Sequence, residues 1–329
     1  MSIALFYFGY LHHKVSQAVA GMAVCCEYRK IRIIIEESRE SRESKGAMDP
    51  KAKEHLLTEA EANEFQQNGY FVVEDVLPQS LTERLRQLTA DVVNEDRDRL
   101  NIPQDRFHGV LDFIGQRDEF LRLVDWYKTV PKICGLLGPE IKLYHTVGME
   151  TPPARGKTTE DHHEWANWHT DTGNLTRDLA RDSFNPMISV KVGYVLSDLT
   201  SPYMANFTCI PGSQNNIDYP GSHRQFIETN ARQVLAPCGS AIIFDRRLWH
   251  TPTLNISSTT RYMIFNGYSY RWLANRDEQR IRHFLRRATP IQRQLLGFSN
   301  HGAYGSSNSF PDDLPLKDWF EAVKLEGAV

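Results

Sequence analysis

The chain has 329 residues, 41% hydrophobic and 11% aromatic, a composition that forms an ordinary globular core and excludes a disordered polymer. A formal charge of −3 supplies no concentrated basic surface, so neither nucleic acid nor an anionic membrane is an expected partner. The five cysteines, Cys25, Cys26, Cys134, Cys209 and Cys238, form no C-x-x-C pair and no zinc-finger spacing. They read as small buried hydrophobes of an intracellular, cytoplasmic protein.

In chain order, residues 1–47 join an aromatic start to the charged repeat of residues 36–45, which cannot bury apolar surface and reads as a disordered extension. The apolar opening lacks a basic leader and makes a poor signal peptide, and no run reaches the roughly 20 apolar residues of a membrane span. Met48 stands where a shorter chain could begin. Residues 48–329 read as one domain, with a helical part at 58–137, a strand-rich core at about 138–272 and a helical tail at 273–329. Thr58 and Glu61 have capping-box spacing, and their helix should stop at Asn68-Gly69 before a strand at 70–73. Leu81, Leu85, Leu88, Val92 and Val93 recur at helical spacing and predict a helix over 79–99. A further helix is expected over 118–137, ended by Gly138-Pro139.

Beyond Gly138, short strand candidates at 141–149, 164–170, 187–197, 206–210, 232–236, 240–245, 252–254 and 260–270 alternate with turn clusters such as Pro211-Gly212-Ser213. Many short strands at this spacing argue for a mainly β fold with flanking helices (α+β), and a jelly roll fits. The tail is expected to be helical at 275–296 and again from about Leu316.

Trp168-His169-Thr170-Asp171 carries the chemistry. In a strand, residues two apart point to one side, so the His169 imidazole and the Asp171 carboxylate would converge. His250, far along the chain, would complete a two-histidine, one-carboxylate face of the kind that holds non-haem Fe(II) with open positions opposite. Arg261 begins the next strand, where its planar fork could grip a dicarboxylate. An H-x-D pair alone is weak evidence of a metal site, and the surrounding order of motifs decides its weight.

From about Leu57 to Trp272 the chain resembles the phytanoyl-CoA dioxygenase family of Fe(II)- and 2-oxoglutarate-dependent oxygenases. The resemblance rests on Phe65-x-x-x-Gly69-Tyr70-Phe71-Val72-Val73, Gly138-Pro139, His145-Thr146, Pro152-Pro153, Trp168-His169-x-Asp171, Ile210-Pro211-Gly212-Ser213 and the distal His250, Asn255 and Arg261. It implies a double-stranded β-helix of the jelly-roll, cupin-like type. His169, Asp171 and His250 would hold Fe(II), and Arg261, Tyr194 and Val147 would contact 2-oxoglutarate. The implied reaction consumes 2-oxoglutarate and O2, releases succinate and CO2, and hydroxylates an unactivated C–H bond of a small organic molecule. The family's halogenating relatives lack the carboxylate ligand, so Asp171 favours hydroxylation. The chain departs from the family pattern at Thr151, Gln214 and Pro252.

Trp165 and Asn167 share the parity of the ligands and are candidate substrate contacts. His162 and His163 read as exposed loop residues, and His145 as a packed residue near the site. Arg280 to Arg287 reads as a solvated helix face with an apolar stripe of Ile281, Phe284 and Leu285. The loops at 151–167, 173–186 and 214–230 should choose the substrate, and their charges favour a polar one. A monomer or weak homo-oligomer is expected. Two other readings stay open: a non-catalytic member that only binds metal and 2-oxoglutarate, and a cupin-like metal-dependent isomerase or hydrolase.

Overall fold

The computed structural model describes residues 48–162, 166–171, 186–215, 224–302, 304 and 310–326. The expected N-terminal extension at 1–47 lies outside the described residues. Helix α1 (Glu59–Asn68) opens with the anticipated capping box: Glu61 N donates to Thr58 Oγ1 at 3.2 Å, and Thr58 N donates to Glu61 Oε2 at 3.0 Å. It ends at Gly69, whose φ of 80° is costly for any residue with a Cβ. The chain then turns straight into strand β1 (Tyr70–Val73).

Helix α2 (Gln79–Leu100) buries Leu81, Leu85, Leu88, Val92 and Val93. Each such side chain contributes roughly 1.5–3 kcal/mol of transfer free energy. Strand β2 (His108–Leu111), which the sequence reading missed, follows. The single helix expected over 118–137 is instead a 3-10 turn (Asp118–Leu123) and a short helix α3 (Val130–Leu137). Pro131 explains the break, because proline suits a helix's first turn and not its interior.

The remaining strands are β3 (Ile141–Thr151), β4 (Ser189–Val195), β5 (Phe207–Cys209), β6 (Arg232–Gln233), β7 (Ala241–Asp245), β8 (His250–Pro252) and β9 (Arg261–Tyr270). Six pair in an antiparallel sheet of order β1-β7-β4-β9-β3-β2, and three in a smaller sheet of order β6-β5-β8. The two sheets form the expected jelly roll, with helices against the outer face of the larger one. The proposed strand at 164–170 is reduced, within the described residues, to an isolated bridge between His169 and His250. A short helix α4 (Arg224–Asn230) was not anticipated. The helix expected at 275–296 is only a 3-10 turn (Arg282–Phe284) and α5 (Pro290–Leu295), and α6 (Pro315–Glu326) closes the chain.

The larger sheet separates two cores by strand parity. Val190, Val192 and Tyr194 of β4 and Ile264 and Tyr268 of β9 pack with the helices, whereas Val195, Met263, Phe265 and Phe244 face the space between the sheets. A bulge between Leu143 and His145 resets β3, so that His145, Val147 and Met149 line the interior side. Of the cysteines, Cys134 and Cys209 are buried as expected, but Cys238 is exposed on a turn. The arginines near 280–287 reach acidic partners: Arg280 pairs with Asp112, and Arg287 with Asp118. Ile281 and Phe284 bury, while Leu285 is exposed. No helix among the described residues is long and apolar enough to cross a membrane.

Candidate active site

His169 and His250 form a doubly hydrogen-bonded antiparallel pair, His169 N to His250 O at 3.0 Å and the reverse at 2.9 Å. Asp171 N donates to Arg246 O at 2.8 Å, which anchors the same short segment to the end of β7. These bonds, rather than a full strand, give His169 and Asp171 their shared direction. The coordinating atoms of His169, Asp171 and His250 lie within 4.8 Å of one another, a gap that small side-chain adjustments close onto one ion.

Each imidazole is oriented by its own backbone. His169 Nδ1 donates to Asn167 O, and His250 Nδ1 donates to Leu248 O, both at 2.8 Å. Both rings therefore turn an Nε2 lone pair inward, the arrangement a divalent ion needs. Burial pushes the His250 pKa down to about 4, against the opposing pull of Asp171, so that ring is neutral near pH 7. Burial by itself would raise the Asp171 carboxyl. The Lys191 ammonium, at 2.7 Å, overrides burial and holds Asp171 well below the usual carboxylate range. Arg276 Nη1 touches the other carboxylate oxygen at 3.2 Å.

Two cavities meet at this cluster. The first, of about 460 Å³, is walled by Phe207, Phe244 and Phe265 and holds Arg261. The Arg261 guanidinium is buried, and burial pushes its pKa down to about 10. Its Nε has no partner, its Nη1 reaches Thr151 Oγ1 only at 3.5 Å, and among the described residues no carboxylate pairs with it. An unpaired buried cation is costly unless an anion joins it. The second cavity, of about 480 Å³, lies on the other side of His169, Asp171 and Lys191.

The other expected site residues separate. Val147 lines the second cavity, and Asn167 the first. Asn167 N also donates to Thr251 Oγ1, which ties the ligand segment to β8. Tyr194 corrects the expectation of a cosubstrate contact: its hydroxyl shares a 2.9 Å hydrogen bond with Thr129 in the helix-side core. The register is one residue off, and in a strand that reverses the face, so Lys191 and Gly193 look inward instead. A Cβ at Gly193 would sit 2.7 Å from the Phe265 ring. Trp165, His163, the loop at 173–186 except its last residue, and 216–223 lie outside the described residues. His162 is partly buried rather than exposed, and its Nδ1 accepts from Leu254 N. His145 packs against the site, its Nδ1 donating to Asp277 Oδ1 at 2.6 Å. Gln214 braces α1 by donating to Gln66 O at 3.0 Å.

Sequence reasoning missed Lys191, Arg246 and Arg276. Lys191 left a signal, since it is a lone charge within the apolar run 188–196. The two arginines left none.

The phytanoyl-CoA dioxygenase (PhyH) family model matches residues 65–263, well over half of the chain. The chain belongs to the phytanoyl-CoA dioxygenase family. It is therefore an iron- and 2-oxoglutarate-dependent oxygenase, using Fe(II), 2-oxoglutarate and O2. Solved structures support the fold. HygX from Streptomyces hygroscopicus, with nickel and 2-oxoglutarate bound, is 16% identical with a TM-score of 0.52, covering 67% of this chain and 90% of its own. EctD from S. alaskensis is 18% identical at 0.52, covering 71% and 82%. The non-heme alpha ketoglutarate dependent carbocyclase SnoK from nogalamycin biosynthesis is 16% identical at 0.51, covering 73% and 94%. No curated protein matches the chain. As a PhyH protein it offers a donor set suited to the family's metal: two imidazoles and a carboxylate on one side of an otherwise open cavity.

Proposed function

We propose that this chain hydroxylates an unactivated C–H bond of a small organic molecule, with His169, Asp171 and His250 as the iron ligands. Arg261 receives the distal carboxylate of 2-oxoglutarate. The observation that carries this reading is the unpaired Arg261 guanidinium, buried in the same cavity as the three candidate ligands. A dicarboxylate spanning from the ligands to Arg261 would satisfy both ends of that cavity at once. An isomerase or hydrolase using the same ligands would leave Arg261 without a role.

When bound, the iron together with 2-oxoglutarate and O2 supplies the oxidation, with succinate and CO2 as products and a hydroxyl group on the substrate. The protein's own part is positional. The backbone carbonyls of Asn167 and Leu248 fix both imidazole tautomers, and Lys191 keeps Asp171 ionised. Phe207, Phe244 and Phe265 keep water from the cosubstrate, which strengthens the charge pairing at Arg261. Val147 serves as wall and Asn167 as strand anchor. Residues 48–329 act as the single catalytic domain in this reading.

The test is anaerobic loading with Fe(II) and 2-oxoglutarate. A metal-to-2-oxoglutarate charge-transfer band, followed by succinate formation on admitting O2, is expected. Protein that takes up iron but shows neither would refute the assignment.

A further inference from the structure

The second cavity holds charges that the cosubstrate does not use. Lys191, Arg246 and Arg276 line it, and Asp171 is the only carboxylate among the described residues that line it. Lys191 and Arg276 already face Asp171. Arg246 is different. It is one of the largest fully buried side chains of the molecule, and it makes no side-chain hydrogen bond or ion pair with any described residue. The nearby carboxylates are engaged elsewhere. Asp245 takes the fork of Arg247, with Nη2 to Oδ2 at 2.6 Å, and Asp171 takes Lys191 and Arg276.

A buried guanidinium that lines a cavity and lacks a partner is aimed at an anion brought from outside. The rest of the lining is largely apolar, with Leu111, Val147, Met149 and Leu273. The two cavities share Met149, His169, Asp171 and Lys191, so an ion on the triad would face both. Arg276 N donates to Tyr144 O at 2.9 Å, which fixes the segment carrying that arginine across the cavity.

From this arrangement we infer that the second cavity is the primary-substrate subsite, and that Arg246, flanked by Arg276 and Lys191, binds an oxyanion of the substrate, a carboxylate or a phosphate. The apolar body of that substrate lies along Leu111, Val147 and Met149. This inference rests on the first cavity being the cosubstrate's.

Calorimetric titration of the full chain, nickel-loaded and saturated with 2-oxoglutarate, provides the test. Propionate and inorganic phosphate are the probes, propionamide is the neutral control, and ionic strength is held constant. At least one oxyanion should bind, and the amide should not. The tighter of the two assigns carboxylate or phosphate. Arg246→Gln should weaken the anion at least tenfold. Arg276→Gln, at a half-exposed position that does not threaten folding, should weaken it about threefold. Absence of anion binding, displacement of the anion by 2-oxoglutarate, or unchanged affinity in both variants would overturn the subsite. Uptake of 2-oxoglutarate is read first in the same samples. An Arg246-dependent anion in protein that never takes up 2-oxoglutarate would keep the subsite and remove the cosubstrate reading.

Discussion

The two faces of the six-stranded sheet each carry a buried arginine, and the two are treated in opposite ways. On the helix side, Arg97 of α2 donates to Glu150 Oε1 at 3.0 Å and to Pro103 O at 2.6 Å, and also reaches Arg106 O. On the cavity side, Arg261 has a distant threonine and a sulfur atom. The hydroxyls near Leu123 follow the same rule: Tyr268 and Tyr194, on the helix side, both find backbone carbonyls. Arg97 leaves only its Nε without a partner and keeps a carboxylate, whereas Arg261 meets no carboxylate among the described residues, so the missing counter-ion separates the working face from the structural one.

The largest expected effect falls on the working face. His169→Ala should bring succinate formation below detection while circular dichroism keeps the native signal, because the ring is only partly buried. Retained turnover would remove His169 from the metal face. On the structural face, Glu150→Gln should cost about 3 kcal/mol by stranding Arg97, with the 2-oxoglutarate affinity of the folded protein retained. Denaturant unfolding and a 2-oxoglutarate titration together check this.

The sharpest test of the contrast is Arg261→Met. Removing an unpaired buried cation should stabilise the ligand-free protein by about 1 kcal/mol, while 2-oxoglutarate binds about 100-fold more weakly. A loss of stability would mean that Arg261 is a structural residue like Arg97.

The smallest effect is electrostatic and lies on the helix side. Burial pushes the Asp125 carboxyl up to about 6 from an ordinary 3.8, and a hydrogen bond from Gln292 opposes it only in part. Between those two values the folded state binds more protons than the unfolded one, so this group's contribution to stability falls as pH rises through that window. Asp125→Asn should flatten the slope between pH 4 and 6 and gain about 1 kcal/mol at pH 7. Melting curves across that range decide it.

Some of the protein was legible in one dimension because its causes are local. The Thr58–Glu61 capping box, the stop at Gly69 and the apolar stripe of α2 depend on neighbours a few residues away. The shared direction of His169 and Asp171 also needed only a two-residue period, although the strand that was meant to supply it is a single bridge. The order of motifs from Gly138-Pro139 to Arg261 was enough to indicate the family.

Tertiary structure decided the rest. A strand shows which residues alternate but not which set faces inward, so a register off by one sent Tyr194 to the wrong side and hid Lys191. The bulge that turns His145 and Val147 inward has no one-dimensional signature. Arg246 and Arg276 reach the same cavity from different segments of the chain, and that Arg276 meets Asp171 while Arg246 meets no described side chain is a property of what surrounds them. Local sequence thus set the chemical groups of the site, while burial and register set which charges are left for a ligand to satisfy.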